Sequence, residues 1–336
     1  MISRLEQGSI VTVLGGSGFL GRYAVRALAA EGWRVRAASR RPDLAGYLQP
    51  MGAVGQIHPV QANLRYPASI ARAVEGATAV VNLVGILAEC RFCLSRSARQ
   101  TFHAVHVAGA RAAARAAREA GAKTFVHVSA IGADRRYWAS YARTKAAGEA
   151  AVLAEFPTAV ILRPSLMFGP EDQLFNRFAA MASLPFNPFL PLIGGGRTRF
   201  QPVYVGDVAA AIAAACAGRA RPRTTYELGG PEVVTFRQLL DSVQDWSARR
   251  KWYLRIPFWL AQIGAFLTAP LPHGLRPLTV DQVRMLMRAN VVDEAAVKEG
   301  RTLQGLGVAT PHAMAGVVPE YLERFRPHGQ FASYHN

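Results

Sequence analysis

The stretch from Ser9 to Arg41 constrains the fold most. Ser9-Ile-Val-Thr-Val-Leu14 is short, apolar and β-branched, the pattern of a buried strand. It feeds Gly15-Gly-Ser-Gly-Phe-Leu-Gly21. The next run, Arg22 to Glu31, then sets Tyr23, Ala24, Ala27 and Leu28 on one helical face before Gly32 ends the helix. A glycine turn between a strand and a helix is the setting in which a dinucleotide pyrophosphate meets unpaired backbone N–H groups. Gly15 and Gly16 permit the tight turn, Gly18 lets the pyrophosphate approach the backbone, and Gly21 lets helix and strand close together.

The second strand, Trp33 to Ala38, selects the nucleotide. An NAD site wants Asp or Glu at its end for the ribose 2′-hydroxyl, whereas an NADP site wants a cation near the 2′-phosphate. Here the strand ends in Ala38-Ser39-Arg40-Arg41, with no carboxylate before Asp43. The prediction is NADP(H), with Ser39 donating a hydrogen bond and Arg40 giving bidentate, partly stacked contact. The competing reading is two solvated arginines at a strand end.

At 336 residues, with 51% hydrophobic and 18% charged, the chain suits one large α/β domain plus a smaller lobe. Its 39 Lys and Arg against 22 acidic residues leave a net charge of +17, which calls for an anionic partner. The arginines are scattered along helices without an aromatic stacking platform, and no zinc-finger, helix-turn-helix or RNA-binding signature occurs, which argues against nucleic acid. Anionic lipid headgroups and an acidic protein neighbour remain. Three cysteines cannot build a disulfide framework, so a reducing compartment is expected. Cys90 and Cys93 form a Cys-x-x-Cys pair, but no second pair or histidine pattern completes a metal site, and they read as incidental thiols. A first strand near residue 9 leaves no room for a signal or transit peptide, so none is expected.

Alternation of short apolar strands with helices continues along the chain and predicts a doubly wound parallel sheet. Ile57 to Leu64 reads as a third strand, with Asn63 placed to hydrogen-bond an adenine and Leu64 to offer it an apolar face. A helix is expected over 69–75, and a fourth strand over Ala79 to Gly85, where Gly85 leaves space for ribose or pyrophosphate. A single alanine-rich helix with His103, His106 and four arginines follows over 98–120, then a fifth strand, Thr124 to Ser129. Tyr141 and Lys145 stand one turn apart on the helix after it. An ammonium so placed is expected to lower the phenol pKa and to bond the nicotinamide ribose, with Ser129 holding a substrate carbonyl.

The glycine motif, Tyr141-x-x-x-Lys145, Leu162-Arg-Pro164 and Pro202-Val-Tyr-Val-Gly-Asp207 resemble the extended and atypical short-chain dehydrogenase/reductase superfamily over most of the chain. More narrowly, Val81-Asn-Leu-Val-Gly85, the run from Tyr141 to Glu149 and Arg163-Pro-Ser-Leu-Met-Phe-Gly-Pro-Glu-Asp172 with Phe175-Asn176 resemble the NADPH-binding accessory subunits of respiratory complex I and their alphaproteobacterial relatives. That resemblance implies a structural subunit, peripheral on the cytoplasmic or matrix face of the respiratory inner membrane, which holds NADPH where the hydrophilic and membrane arms join. It implies cofactor contact from Gly15, Ser17, Gly18, Phe19, Leu20, Gly21, Ser39, Arg40, Asn63, Leu64, Val84, Gly85, Ser129, Tyr141, Lys145 and Pro164. His106 stands where active reductases of the superfamily carry Asn, and Asn63 where they carry Asp, which puts the proton relay through the fourth helix in question although Tyr141 and Lys145 survive. The alternative is a free NADPH-dependent reductase or epimerase with Ser129, Tyr141 and Lys145 as its catalytic set.

The NADP-binding domain is expected over 1–170, with segments near 200–230 returning to its sheet, and 171–336 is expected to form mainly the small carboxy-terminal lobe, with an interface or membrane-facing helix. Leu184 to Leu192 reads as a Pro- and Phe-rich connection, Gly194 to Gly196 as a flexible turn, and Asp207 as the N-cap of a helix. Thr225 to Gly229 reads as a further strand of the main sheet. Arg249-Arg-Lys-Trp-Tyr253 precedes Ile256 to Leu271, a stretch without charge, bounded by prolines and too short to span a bilayer. It is read as a membrane-interface helix, a core helix of the lobe, or a surface that packs on membrane-arm subunits.

Overall fold

The computed structural model describes residues 8–89, 100–269 and 278–327. Cys90 and Cys93 lie outside them, as do residues 98 and 99 of the expected alanine-rich helix and residues 270 and 271 of the uncharged stretch.

The β-branched runs form β1 (Ile10–Leu14), β2 (Arg34–Ser39), β3 (Ile57–Gln61), β4 (Ala79–Asn82), β5 (Thr124–Val128) and β6 (Val160–Pro164), joined by a seventh strand, Thr225–Leu228. All pair in parallel, in the order seventh strand, β6, β5, β4, β1, β2, β3. This is the doubly wound sheet expected from the sequence. Chain order reverses between β1 and β4, and the carboxyl ends of strands flanking such a reversal open a crevice. Helices α1 (Phe19–Ala30), α2 (Pro67–Val74), α3 (Ala110–Glu119) and α4 (Ser140–Glu155) supply covering layers. The buried residues of α3 are all alanines, which lets its backbone come close to the core built around Ile70, Val80, Phe125 and Ile161.

The alanine-rich stretch is not one α-helix. Its front, His103–Gly109, is wound as a wider π-helical segment that runs into α3. Two glycines accommodate it: a Cβ at Gly109 would press on Leu64, and one at Gly148 of α4 would overlap the His106 carbonyl oxygen. Such windings concentrate at functional sites.

The chain divides into two units. The first runs to Pro164 and then takes up Val205–Leu228 and Val292–Ala309. Residues 292–309, which the sequence does not single out within 171–336, are brought to the sheet edge by long-range hydrogen bonds. Glu227 N–H donates to the Arg301 carbonyl at 2.9 Å, the Arg301 guanidinium returns a bond to the Thr225 carbonyl at 2.9 Å, and Glu227 Oε2 accepts the Asp293 N–H at 2.9 Å. Covering an edge strand in this way satisfies backbone groups that would otherwise be left open.

The second unit takes Ser165–Tyr204, Gly229–Val291 and the residues from Thr310 on. Helices Leu174–Ser183, Phe236–Trp246 and Val318–Leu322 close on a core containing Phe168, Phe175, Phe236, Leu240 and Leu322. The Pro- and Phe-rich connection contains a strand, Phe189–Ile193, paired in parallel with Trp252–Ile256. In the first unit, the helix expected to start at Asp207 starts at Val205, which puts Asp207 inside its first turn instead of at the cap. Helix Phe258–Leu267 buries only Ala265, so it is not the core helix that one reading allowed. No helix among the described residues is long and apolar enough to cross a membrane.

Candidate functional site

A cleft of about 250 Å³ opens at the carboxyl ends of β1 to β4 in the first unit. The loop after β1 contributes Gly15, Ser17 and Gly18; the end of β2 contributes Ser39 and Arg40; the loop after β3 contributes Asn63 and Leu64; and the loop after β4 contributes Val84 and Gly85. Nine of the residues named from sequence therefore converge.

The glycine turn is held from below. Gly15 has φ +88°, a left-handed backbone that side chains resist, and its N–H donates to the Ala38 carbonyl at 2.9 Å. A Cβ at Gly21 would overlap the Gly15 carbonyl oxygen, so the close approach is between helix and turn rather than helix and strand. Helix α1 begins after Gly18 with no side-chain cap and no acidic residue in its first turn. That leaves its opening N–H groups and positive dipole end for an anion. Leu20 is buried, and the Phe19 ring sits edge-on to Tyr23 at 6.1 Å, so these two offer backbone, not side chain, to the site.

At the end of β2, Ser39 is buried and its Oγ has no hydrogen-bond partner among the described residues. Arg41 pairs with Asp43 at 3.1 Å, whereas Arg40 enters no ion pair among the described residues. A buried orphan hydroxyl beside a cation fits a 2′-phosphate. Asn63 Oδ1 accepts the Arg65 N–H at 3.1 Å, which leaves its amide nitrogen for a base edge. Sequence reasoning missed Arg65 and Gln100, which also line the cleft, and Tyr47, whose hydroxyl donates to the Ser17 carbonyl at 2.8 Å. Arg65 was legible in principle as a cation two residues past Asn63. Gln100 and Tyr47 arrive from outside any motif.

Ser129, Tyr141 and Lys145 do not line the cleft but gather next to it. A Cβ on Gly85 would lie 3.3 Å from Lys145 Nζ and 3.8 Å from His106 Nε2. Lys145 Nζ donates to the Val128 carbonyl at 3.2 Å and lies 6.0 Å from the centre of the Tyr141 ring. The expected lowering of the phenol does not occur: burial pushes Tyr141 up to about 12, because a phenolate there would lose its water. Burial also pulls Lys145 down to about 8, against the opposing pull of Glu149. The Ser129 Oγ is a second buried hydroxyl without a partner among the described residues. Pro164 sits one strand further on, ending β6 with its carbonyl accepting the Ile131 N–H at 3.0 Å, and does not reach the cleft.

His106 performs a structural task. Its Nε2 accepts the Ile86 N–H at 3.1 Å, so the ring proton sits on Nδ1 and is donated to Thr144 Oγ1 at 3.1 Å. It thereby ties the loop after β4 to α4. Burial, then Lys145 and His127, hold it down to about 2, so it is neutral at working pH. His127 is held down to about 3 by burial and then Lys145; Asn82 Nδ2 donates to its Nδ1 at 3.2 Å, while Asn82 Oδ1 accepts the Val84 N–H. Among the described residues no group of His, Cys, Asp and Glu could hold a metal ion.

The family model described as "NAD dependent epimerase/dehydratase family" matches residues 11–229. The chain is similar to "NADH dehydrogenase [ubiquinone] 1 alpha subcomplex subunit 9, mitochondrial" of Arabidopsis thaliana, 36% identical over 96% of this chain and 79% of that protein. It is also similar to the "Ceramide reductase" of Caulobacter vibrioides, 35% identical over 62% of this chain and 61% of that protein. The solved structure of the NADPH-dependent quinone oxidoreductase QOR2 from Escherichia coli, complexed with NADPH, shares the fold at a TM-score of 0.66 and 20% identity, covering 93% of this chain and 99% of that one.

Proposed function

The chain belongs to the NAD dependent epimerase/dehydratase family, and from that premise we propose that it holds NADPH as a resident ligand and serves as an accessory subunit of respiratory NADH:quinone oxidoreductase, complex I. The name of the Arabidopsis relative, aligned over 96% of this chain, supports the assembly. The buried Ser39 hydroxyl, without a partner and next to Arg40, is the observation that carries the cofactor reading.

In this reading Ser39 and Arg40 hold the 2′-phosphate, and the turn from Gly15 to Gly18 with the N–H groups of Ser17, Phe19, Leu20 and Gly21 takes the pyrophosphate. Asn63 and Leu64 receive the adenine, Val84 and Gly85 border the riboses, and Tyr141 and Lys145 bond the nicotinamide ribose with Ser129 and Pro164 nearby. The chemistry NADPH would supply when bound there is hydride donation. The chain's own contribution is retention: a phenol raised to about 12 is a weak proton donor near neutral pH, and Lys145 Nζ, with one N–H given to the Val128 carbonyl, keeps two for the ribose. The protein is placed peripherally on the respiratory inner membrane with other complex I subunits as partners. Native electrophoresis of detergent-solubilised membranes tests this. Migration with NADH dehydrogenase activity and NADPH released on denaturation are expected; a monomeric pool free of nucleotide overturns the reading.

Retention of Ser129, Tyr141 and Lys145, together with the Caulobacter relative, favours one second reading, a free NADPH-dependent reductase or epimerase. There Tyr141 is the acid, Lys145 its partner and Ser129 the carbonyl anchor. Tyr141→Phe separates the two, since under the first reading it should weaken nucleotide retention by no more than the single ribose bond, roughly a few-fold, and leave assembly intact, whereas under the second it should abolish turnover.

A further inference from the structure

Helix Phe258–Leu267 in the second unit carries its apolar stripe outward. Trp259, Leu260, Ile263, Phe266 and Leu267 recur at the spacing that normally faces a core. Yet Trp259 is 64%, Phe266 71% and Leu267 70% exposed. The strand ahead of it adds Trp252 and Leu254, which share one face at period two and are 73% and 51% exposed. Exposed apolar patches of this kind mark an interaction surface.

Charge identifies the occupant. No charged residue occurs from Ile256 to Leu271, whereas Arg249, Arg250, Lys251 and Arg255 immediately precede this run. Asp245 neutralises one of them, pairing with Arg250 at 2.8 Å. The remaining excess sits next to two exposed tryptophans, a residue that favours the headgroup level. A ten-residue helix is about 15 Å long, roughly half the hydrocarbon thickness, so it lies in the interface plane instead of crossing. We infer that the surface formed by strand Trp252–Ile256 and helix Phe258–Leu267 docks on an anionic lipid bilayer, the apolar stripe entering the acyl boundary and the cations meeting lipid phosphates. The inference deepens the peripheral placement proposed above and rests on it only for which membrane is meant.

Flotation of the full chain with vesicles tests it, comparing phosphatidylcholine alone with phosphatidylcholine mixed with phosphatidylglycerol. Binding to the mixed vesicles is expected, weakening about fivefold with Arg255→Gln, since each cation near such a surface is worth about 1 kcal/mol. The double change Trp259→Ser, Phe266→Ser should weaken binding by at least about tenfold, and Val54→Ser, at a still more exposed apolar site in the first unit, should not. Brominated lipids should quench tryptophan emission in the unaltered protein, a readout that needs no variant. Failure to bind mixed vesicles, binding indifferent to the double change, or a concentration-dependent dimer that the double change dissolves would each overturn the inference. Nucleotide content measured on the same samples reports separately on the cofactor reading.

Discussion

Arg40 and Arg41 are adjacent and equally charged, but their surroundings set them apart. Arg41 already pairs with Asp43 on the surface, while Arg40 borders the cleft beside the orphan Ser39 hydroxyl. Arg40→Glu should therefore weaken NADPH about 100-fold, roughly 3 kcal/mol for reversing a phosphate-facing charge, with a small effect on NADH. Arg41→Glu should change either by only a few-fold. Calorimetric titration with both nucleotides checks this, and equal losses in the two variants would remove Arg40 from the phosphate site. The two buried histidines set a pH dependence. Their folded pKa values, about 2 for His106 and about 3 for His127, lie below the unfolded 6.5, so the unfolded chain binds more protons below that pH. Stability is thus fully present above pH 6.5 and falls as pH drops toward 3, by up to about 1.4 kcal/mol per pH unit for each ring. Denaturant melts between pH 7 and 5 should show this slope, and His127→Asn should cut it to about half, the His106 share remaining.

Arg163 shows how separate elements are fastened together. From β6 it forks onto both oxygens of Glu149 in α4, at 2.9 and 2.7 Å, and reaches Glu227 of the seventh strand at 3.4 Å. Arg163→Met would leave two largely buried carboxylates without their cation, a loss of about 3–5 kcal/mol in chemical denaturation. Gly21→Ala should cost about 1–3 kcal/mol by overlapping the Gly15 carbonyl, and Gly18→Ala, whose Cβ would meet only that oxygen at 3.3 Å, clearly less. These elements also mark what sequence reveals. The parallel sheet and the glycine turn were legible because periodicity and turn chemistry are local. The π-helical winding at His103–Gly109 was not, since an alanine-rich period looks the same until Gly109 and Gly148 meet their neighbours. The strand Phe189–Ile193 was hidden by Pro191 within it and Pro188 just before it, and residues 292–309 by the length of chain between them and their partner. At the site, the place of Ser39 and Arg40 on the cleft wall was legible from the strand–turn pattern, but the direction of the Tyr141 shift was not, because burial is decided by residues distant in sequence.

The nucleotide-binding unit is assembled from three chain segments, so its stability depends on keeping distant pieces together. A ligand that binds only the folded unit supports all three at once, by RT ln(1 + [L]/Kd), about 4 kcal/mol at a thousandfold excess over Kd. For a unit of this size each kcal/mol moves the midpoint by about 2–4 °C, so saturating NADPH should raise the transition that includes this unit by roughly 10 °C. NADH, which lacks the phosphate that Ser39 and Arg40 would hold, should raise it by far less at the same concentration. Differential scanning calorimetry of nucleotide-stripped full-length protein, titrated with each, gives the answer. Equal shifts from NADPH and NADH would show that the end of β2 does not read the phosphate. In that case the orphan hydroxyl and unpaired cation would need another ligand, while the doubly wound sheet and its glycine turn would still account for dinucleotide binding.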